Sequence, residues 1–149
     1  MRALYFAYGS NLKATRMRER VPSASPVSTA LLHGWRLTLD KRATDGSGKA
    51  NLSRKAGASL WGFVYRIEPA EWTDLDRFEP GYTRTDVEVL AADGRRLSAQ
   101  TYIASVAVAE LVAFDWYKAL IVEGAREHGL PADYVTTLEA LAARPDPNA

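Results

Sequence analysis

The 149-residue chain contains no cysteine. That absence removes thiol nucleophiles, disulfides and cysteine-ligated zinc together, and it suits a reducing cytoplasm, the expected location. Histidine is scarce. His33 falls at a strand bend and His128 at a helix end, where an imidazole favours the dipole. They give little support to a histidine triad or a metal site, and no Gly-x-Ser-x-Gly elbow surrounds any serine. No run of about 18 apolar residues occurs, so nothing is expected to span a membrane. The opening "MRALYFAYG" has one basic residue and then a run too short for a signal-peptide core; it reads as a first strand. Charge of one sign is lacking too. A net charge of +1 gives no electrostatic surface for nucleic acid or acidic lipid. Arg16, Arg18 and Arg20 cluster, but Glu19 interrupts them and no aromatic is interleaved, so they read as a solvated helix face.

What is present is ordinary for a globular protein: 47% apolar and 25% charged residues, in a length that suits one domain with residues 143–149 as a tail. No oligomeric state follows from the residues. Residues 3–8 read as a buried strand, and 12–20 as a short helix with Ser10 or Asn11 at its N-cap. Residues 27–41 are strand-like but broken at His33-Gly34, and 43–53, polar and glycine-rich, read as a mobile loop or hairpin tip. "SLWGFVYRI" is a strong strand, and 69–79 a short helix opened by Pro69. Strands at 85–90 and 97–105 flank Asp93-Gly94, a hairpin signal. A helix over 113–128 puts Ala113, Trp116, Tyr117, Leu120, Ile121 and Gly124 on one face, and a last helix covers 131–142. Strands dominate the middle and helices the end without βαβ alternation. That is an α+β pattern.

Two places carry candidate chemistry. "GSGK" at 46–49 is not one of them, because Ala43 stands where a phosphate loop needs glycine and Ala50 follows the lysine. The first is Tyr8-Gly9-Ser10-Asn11-Leu12, between a strand and a helix. Orphan N–H groups there, with a glycine allowing close approach, could hold a carboxylate or an oxyanion, or the segment could simply turn a corner. The second is Glu79. It follows Trp72 by seven residues and Leu75 by four, which places its carboxyl on their inward face. Desolvation there would raise its pKa toward the range a general acid or base needs, although a partly exposed acid at a frayed helix end fits the same spacing. Asp76 lies on a neighbouring face. Tyr82 and Tyr117 read first as core tyrosines with satisfied hydroxyls.

Taken together, "FAYGSNL", "SLWGFVYRI", "LDRFEPGY" and "WYKALIVEGAREHGLPADYVTTLEAL" resemble the gamma-glutamylcyclotransferase family. The resemblance implies a small, mixed, barrel-like sheet with flanking helices and a pocket at one end. It implies conversion of a gamma-glutamyl amine or amide to 5-oxoproline with release of the amine, without metal or cofactor. By the same resemblance Glu79 is the acid–base residue, Tyr8, Gly9, Ser10, Asn11 and Leu12 hold the glutamyl part, and Tyr117 lines the pocket, with Tyr82 matching less firmly. A non-catalytic small-ligand binder of the same fold is the alternative, and an inward acid argues against it. The run Glu79-Pro80-Gly81-Tyr82 is more compact than in many relatives.

Overall fold

The computed structural model of the chain describes residues 3–149, so Arg2, the basic residue ahead of the first strand, lies outside that range. Strand β1 (Ala3–Ala7) carries apolar residues on both faces and is buried accordingly, with Phe6 and Ala7 fully enclosed. It pairs antiparallel with β3 (Gly48–Ile67), from Ala3 opposite Ile67 to Ala7 opposite Phe63. On its other side it meets β5 (Arg96–Ala104) in parallel at Tyr5 and Gln100. With β2 (Ser25–Arg42) and β4 (Tyr82–Ala91) the order is β1-β3-β2-β4-β5, closed into a barrel. The sheet is mixed and barrel-like, as expected.

The β2–β3 ribbon positions the site. Its register slips between His33 and Trp35, where residues 55–58 of β3 stand opposite Gly34 alone, so the break expected there is a bulge. Beyond it, the outer half of the ribbon lies across the end of β5: the Ala104 N–H donates to Asn51 Oδ1 at 2.8 Å and the Val108 N–H to the Asp40 carbonyl at 2.7 Å. The turn expected over 43–53 is confined to 43–47, and from Gly48 onward the chain is strand with Ala50, Asn51 and Leu52 buried. Asn51, polar as it is, can be buried there because its amide is satisfied internally, by Asp40 and Ala104.

Helix α1 (Ala14–Arg20) follows a single 3-10 turn, Ser10–Leu12. Neither Ser10 nor Asn11 caps it. The Ala14 N–H is instead satisfied by Glu127 Oε1, 3.1 Å away at the end of α3 (Asp115–Glu127). Helix α3 presses Tyr117, Ile121, Gly124 and Ala125 inward, and at Gly124 its backbone touches the 3-10 turn. Trp116 is not on that face; it is 39% exposed and donates to Asp146 at 2.9 Å. The helix starts at Asp115 because Ala113–Phe114 form β6, which pairs in parallel with Ala143–Arg144 (β7) from the segment read as a tail. Helix α2 (Trp72–Arg77) buries Trp72 and Leu75, and α4 (Ala132–Glu139) packs Val135 and Leu138 into the core.

Candidate active site

Glu79 lies two residues past the end of α2. Its N–H still bonds the Asp76 carbonyl at 3.0 Å, and Pro80 prevents another turn. The Tyr82 N–H then returns to the Glu79 carbonyl at 3.2 Å, with Gly81 at φ 81°, the type II pattern of proline then glycine. The turn directs the Glu79 side chain inward, leaving it 13% exposed. Its Oε1 accepts from Asn11 Nδ2 at 3.2 Å and from Arg20 Nη1 at 3.3 Å. Burial raises the carboxyl above its ordinary pKa; Arg20, Lys49, Asn11 and Arg16 oppose this, and burial prevails.

Asn11 joins the parts. Its Nδ2 also donates to the Tyr5 hydroxyl at 2.9 Å, and its Oδ1 accepts from Arg20 Nη1 at 3.2 Å. The turn therefore contacts the Glu79 carboxyl through the Asn11 side chain, not through its backbone N–H groups. Within the turn the Leu12 N–H bonds the Gly9 carbonyl at 3.0 Å and the Lys13 N–H the Ser10 carbonyl at 3.2 Å. The first N–H groups of such a turn, those of Ser10 and Asn11, have no acceptor within it. His128 secures the other end. Its ring stacks on Phe63 with centroids 3.7 Å apart, and Nε2 donates to the Leu12 carbonyl at 2.9 Å. Burial lowers the His128 pKa, which favours the neutral ring.

A cavity of about 30 Å³ opens against these groups where β1 and β5 end. Tyr8, Gly9, Ser10, Asn11, Glu79, Tyr82 and Tyr117 all line it, joined by Tyr5, Ala50 and Tyr102. The Ala50 peptide is clamped from both sides, its N–H donating to the Tyr117 hydroxyl at 3.0 Å and its carbonyl accepting from Tyr82 at 2.7 Å. Burial is the main cause pushing the Tyr117 phenol up to about 12. Leu12 lies apart from the cavity lining, fully buried beneath the turn. Asp76 faces elsewhere, accepting from the Tyr102 hydroxyl and lying 3.7 Å from Arg84.

A second space of about 70 Å³ adjoins the first, sharing Ser10, Glu79, Tyr82 and Tyr117 and adding Arg16, Arg20, Lys41 and Lys49. Arg16 and Arg20 were expected in solvent; only Arg18 of the three is exposed. They are four residues apart and so share one face of α1, next to buried Met17, and that spacing was the available signal. Tyr5, Tyr102 and Lys49 had no such signal. A larger open groove of about 660 Å³, with Asp86 and Glu88 in its lining, runs along β1, β4 and β5, away from Glu79 and the tyrosine hydroxyls. Among the described residues no three His, Cys, Asp or Glu side chains are grouped to hold a metal, and no helix is long and apolar enough to cross a membrane.

The sequence profile of the AIG2-like family matches residues 59–138. Over 147 aligned residues the chain is 30% identical to the gamma-glutamylcyclotransferase of Homo sapiens, covering 93% of this chain and 78% of that one. The chain belongs to the AIG2-like, gamma-glutamylcyclotransferase family. A solved structure described as a gamma-glutamyl cyclotransferase superposes with a TM-score of 0.89 at 28% identity, covering 99% of this chain and 90% of that one. A yeast gamma-glutamyl cyclotransferase described as specific to glutathione shares the fold, with a TM-score of 0.63 at 16% identity over 92% of this chain and 93% of that one. Curated relatives of this family are named as enzymes.

Proposed function

We propose that the protein is a gamma-glutamyl cyclotransferase that releases 5-oxoproline and an amine, with Glu79 as its acid–base residue. The observation that carries this reading is a carboxylate 13% exposed, raised in pKa by burial, at a cavity lined by tyrosine hydroxyls and an N–H-bearing turn. The substrate's own alpha-amine is the nucleophile. In its neutral form that nitrogen attacks the gamma-carbonyl carbon and closes the five-membered ring, and Glu79 takes the proton that the ring nitrogen must then lose. The bond to the leaving nitrogen breaks, and Glu79 returns the proton there. No proton or electron pair is left over, and neither metal nor cofactor takes part.

The remaining roles follow from placement. The Ser10 and Asn11 N–H groups serve the oxyanion that develops on the carbonyl, where fixed dipoles act most strongly. Gly9 lets the turn sit against Ala50, while Tyr8, Tyr82 and Tyr117 wall the glutamyl chain into the folded shape that ring closure needs. Leu12 supports the turn from below. The test is a panel of gamma-glutamyl compounds with 5-oxoproline detection in the presence of chelator. Product from at least one compound is expected. Binding of the panel without any product would favour a non-catalytic binder.

A further inference from the structure

The outer space beside Glu79 bears four cations, Arg16, Arg20, Lys41 and Lys49, against the single carboxylate of Glu79. Among the described residues only Arg20 of the four forms an ion pair, with Glu79 itself. Arg16 Nε is buried without a hydrogen-bond partner among the described residues. The Lys41 ammonium lies 5.2 Å over the Tyr82 ring and that of Lys49 5.7 Å over the Tyr117 ring, so both lean on the walls of the cavity. Asp45 and Glu19 act on Lys49 and Arg16 only at a distance; the Asp45 carboxylate is held by the Ser47 N–H and hydroxyl. Burial, and after it the neighbouring arginine, lowers the pKa of Lys49 and of Arg16, as expected where four cations crowd around one carboxylate. Unpaired, half-buried cations are costly, and that cost is offset when an anion arrives.

The cyclotransferase reading, on which this inference rests, decides which part of the substrate arrives there. Ring closure curls the glutamyl chain against its own carbonyl, so that end is compact and constant and belongs beside the turn and Glu79. The leaving amine is the variable end and extends outward past Glu79, among the cations. We infer that this mouth selects a leaving amine carrying two carboxylates, that of an acidic alpha-amino acid, over one carrying none. Arg16 and Lys49 are then the specificity-determining residues: a guanidinium can take a carboxylate in bidentate fashion, and the lysine serves as a point charge.

The test compares gamma-glutamyl-glutamate, gamma-glutamyl-alanine and gamma-glutamyl-propylamide, whose leaving amines carry two, one and no carboxylates. Turnover is read as 5-oxoproline, and binding is measured separately by calorimetry on Glu79→Gln. The expected kcat/KM ranking falls in that order, with about tenfold or more per carboxylate. Lys49→Met and Arg16→Met should each raise KM for gamma-glutamyl-glutamate about tenfold, change kcat less, and compress its advantage over the propylamide; Lys49→Arg should restore most of it. Equal kcat/KM for the three compounds, or an unchanged ratio in the variants, overturns the inference. If a variant fails to fold, the wild-type ranking carries the test. No 5-oxoproline from any compound overturns the cyclotransferase reading alone if the calorimetric ranking persists. If neither turnover nor binding ranks the compounds, both fall.

Discussion

Replacing Gly124 by alanine puts a single methyl group where helix α3 crosses the turn that contacts Glu79 through Asn11. Alanine is the better helix former by about 0.8–1.0 kcal/mol, so propensity alone predicts a more stable protein. The structure opposes this. A Cβ at position 124 would lie 2.4 Å from the Leu12 carbonyl carbon, 2.5 Å from the Lys13 nitrogen and 2.6 Å from Leu12 Cβ. Carbon atoms prefer roughly 3.5–4.0 Å, and two of these three neighbours are backbone that no rotamer change can move aside. The turn cannot retreat freely, because His128 and Glu127 hold it and the start of α1. Overpacking of this kind costs typically about 1–3 kcal/mol, and with the obstacle in the backbone the upper half of that range applies. The net expectation is a loss of about 1–2 kcal/mol after the helix gain is subtracted. Urea unfolding should show a lower midpoint with an unchanged slope, and thermal unfolding a fall of about 2–4 °C for each kcal/mol. Turnover should fall as well, since the displaced turn carries Asn11. A midpoint equal to or above that of the wild type would refute the reasoning, because it would mean that the turn yields freely.

Gly9→Val should remove most turnover: its Cβ would stand 2.9 Å from Ala50 Cβ, pushing on the peptide that Tyr82 and Tyr117 clamp, whereas Ser10→Ala keeps its N–H and should cost less. A folded, fully active Gly9→Val protein would reduce the turn to a corner. The acid limb of kcat/KM should lie above the ordinary glutamate range, because the base must be deprotonated and burial raises its pKa. Arg20→Met removes the largest opposing influence, so that limb should move to higher pH; a limb that stays or moves lower would exclude Glu79 as the titrating group. Asp76→Asn should change turnover far less than any change at Glu79, since Asp76 is engaged by Tyr102 and Arg84; an equal loss would mean a second essential carboxylate.

Features written in short-range chemistry were legible before the fold was known. Asp93-Gly94 makes its turn, and Glu79 faces inward on the side its spacing from Trp72 and Leu75 indicated, although it lies past the end of α2 and the Pro80-Gly81 turn directs it there. The turn at Ser10–Leu12 was legible in place but not in purpose. Its side chains were read as caps, yet Asn11 reaches Tyr5 and Glu79, and the helix is capped by Glu127 more than a hundred residues away. Lys49 and Ala50 lie in the outer half of the β2–β3 ribbon, beyond the bulge, and they meet the site through long-range contacts that no local sequence pattern announces. Arg16 and Arg20 show the limit of charge patterning. A basic run broken by Glu19 looks solvated, but a helical period returns two of its members to the same buried face.

Glu79→Gln tests the account most directly. The substitution preserves the shape of the side chain and removes its titration, so a gamma-glutamyl substrate should still bind. General acid–base catalysis is worth roughly a hundred- to ten-thousand-fold. The measurement is the rate of 5-oxoproline formation at saturating substrate, alongside binding of the same compound by calorimetry. The account predicts a loss of that order in turnover with binding retained. Turnover at the wild-type rate in the glutamine variant would contradict it.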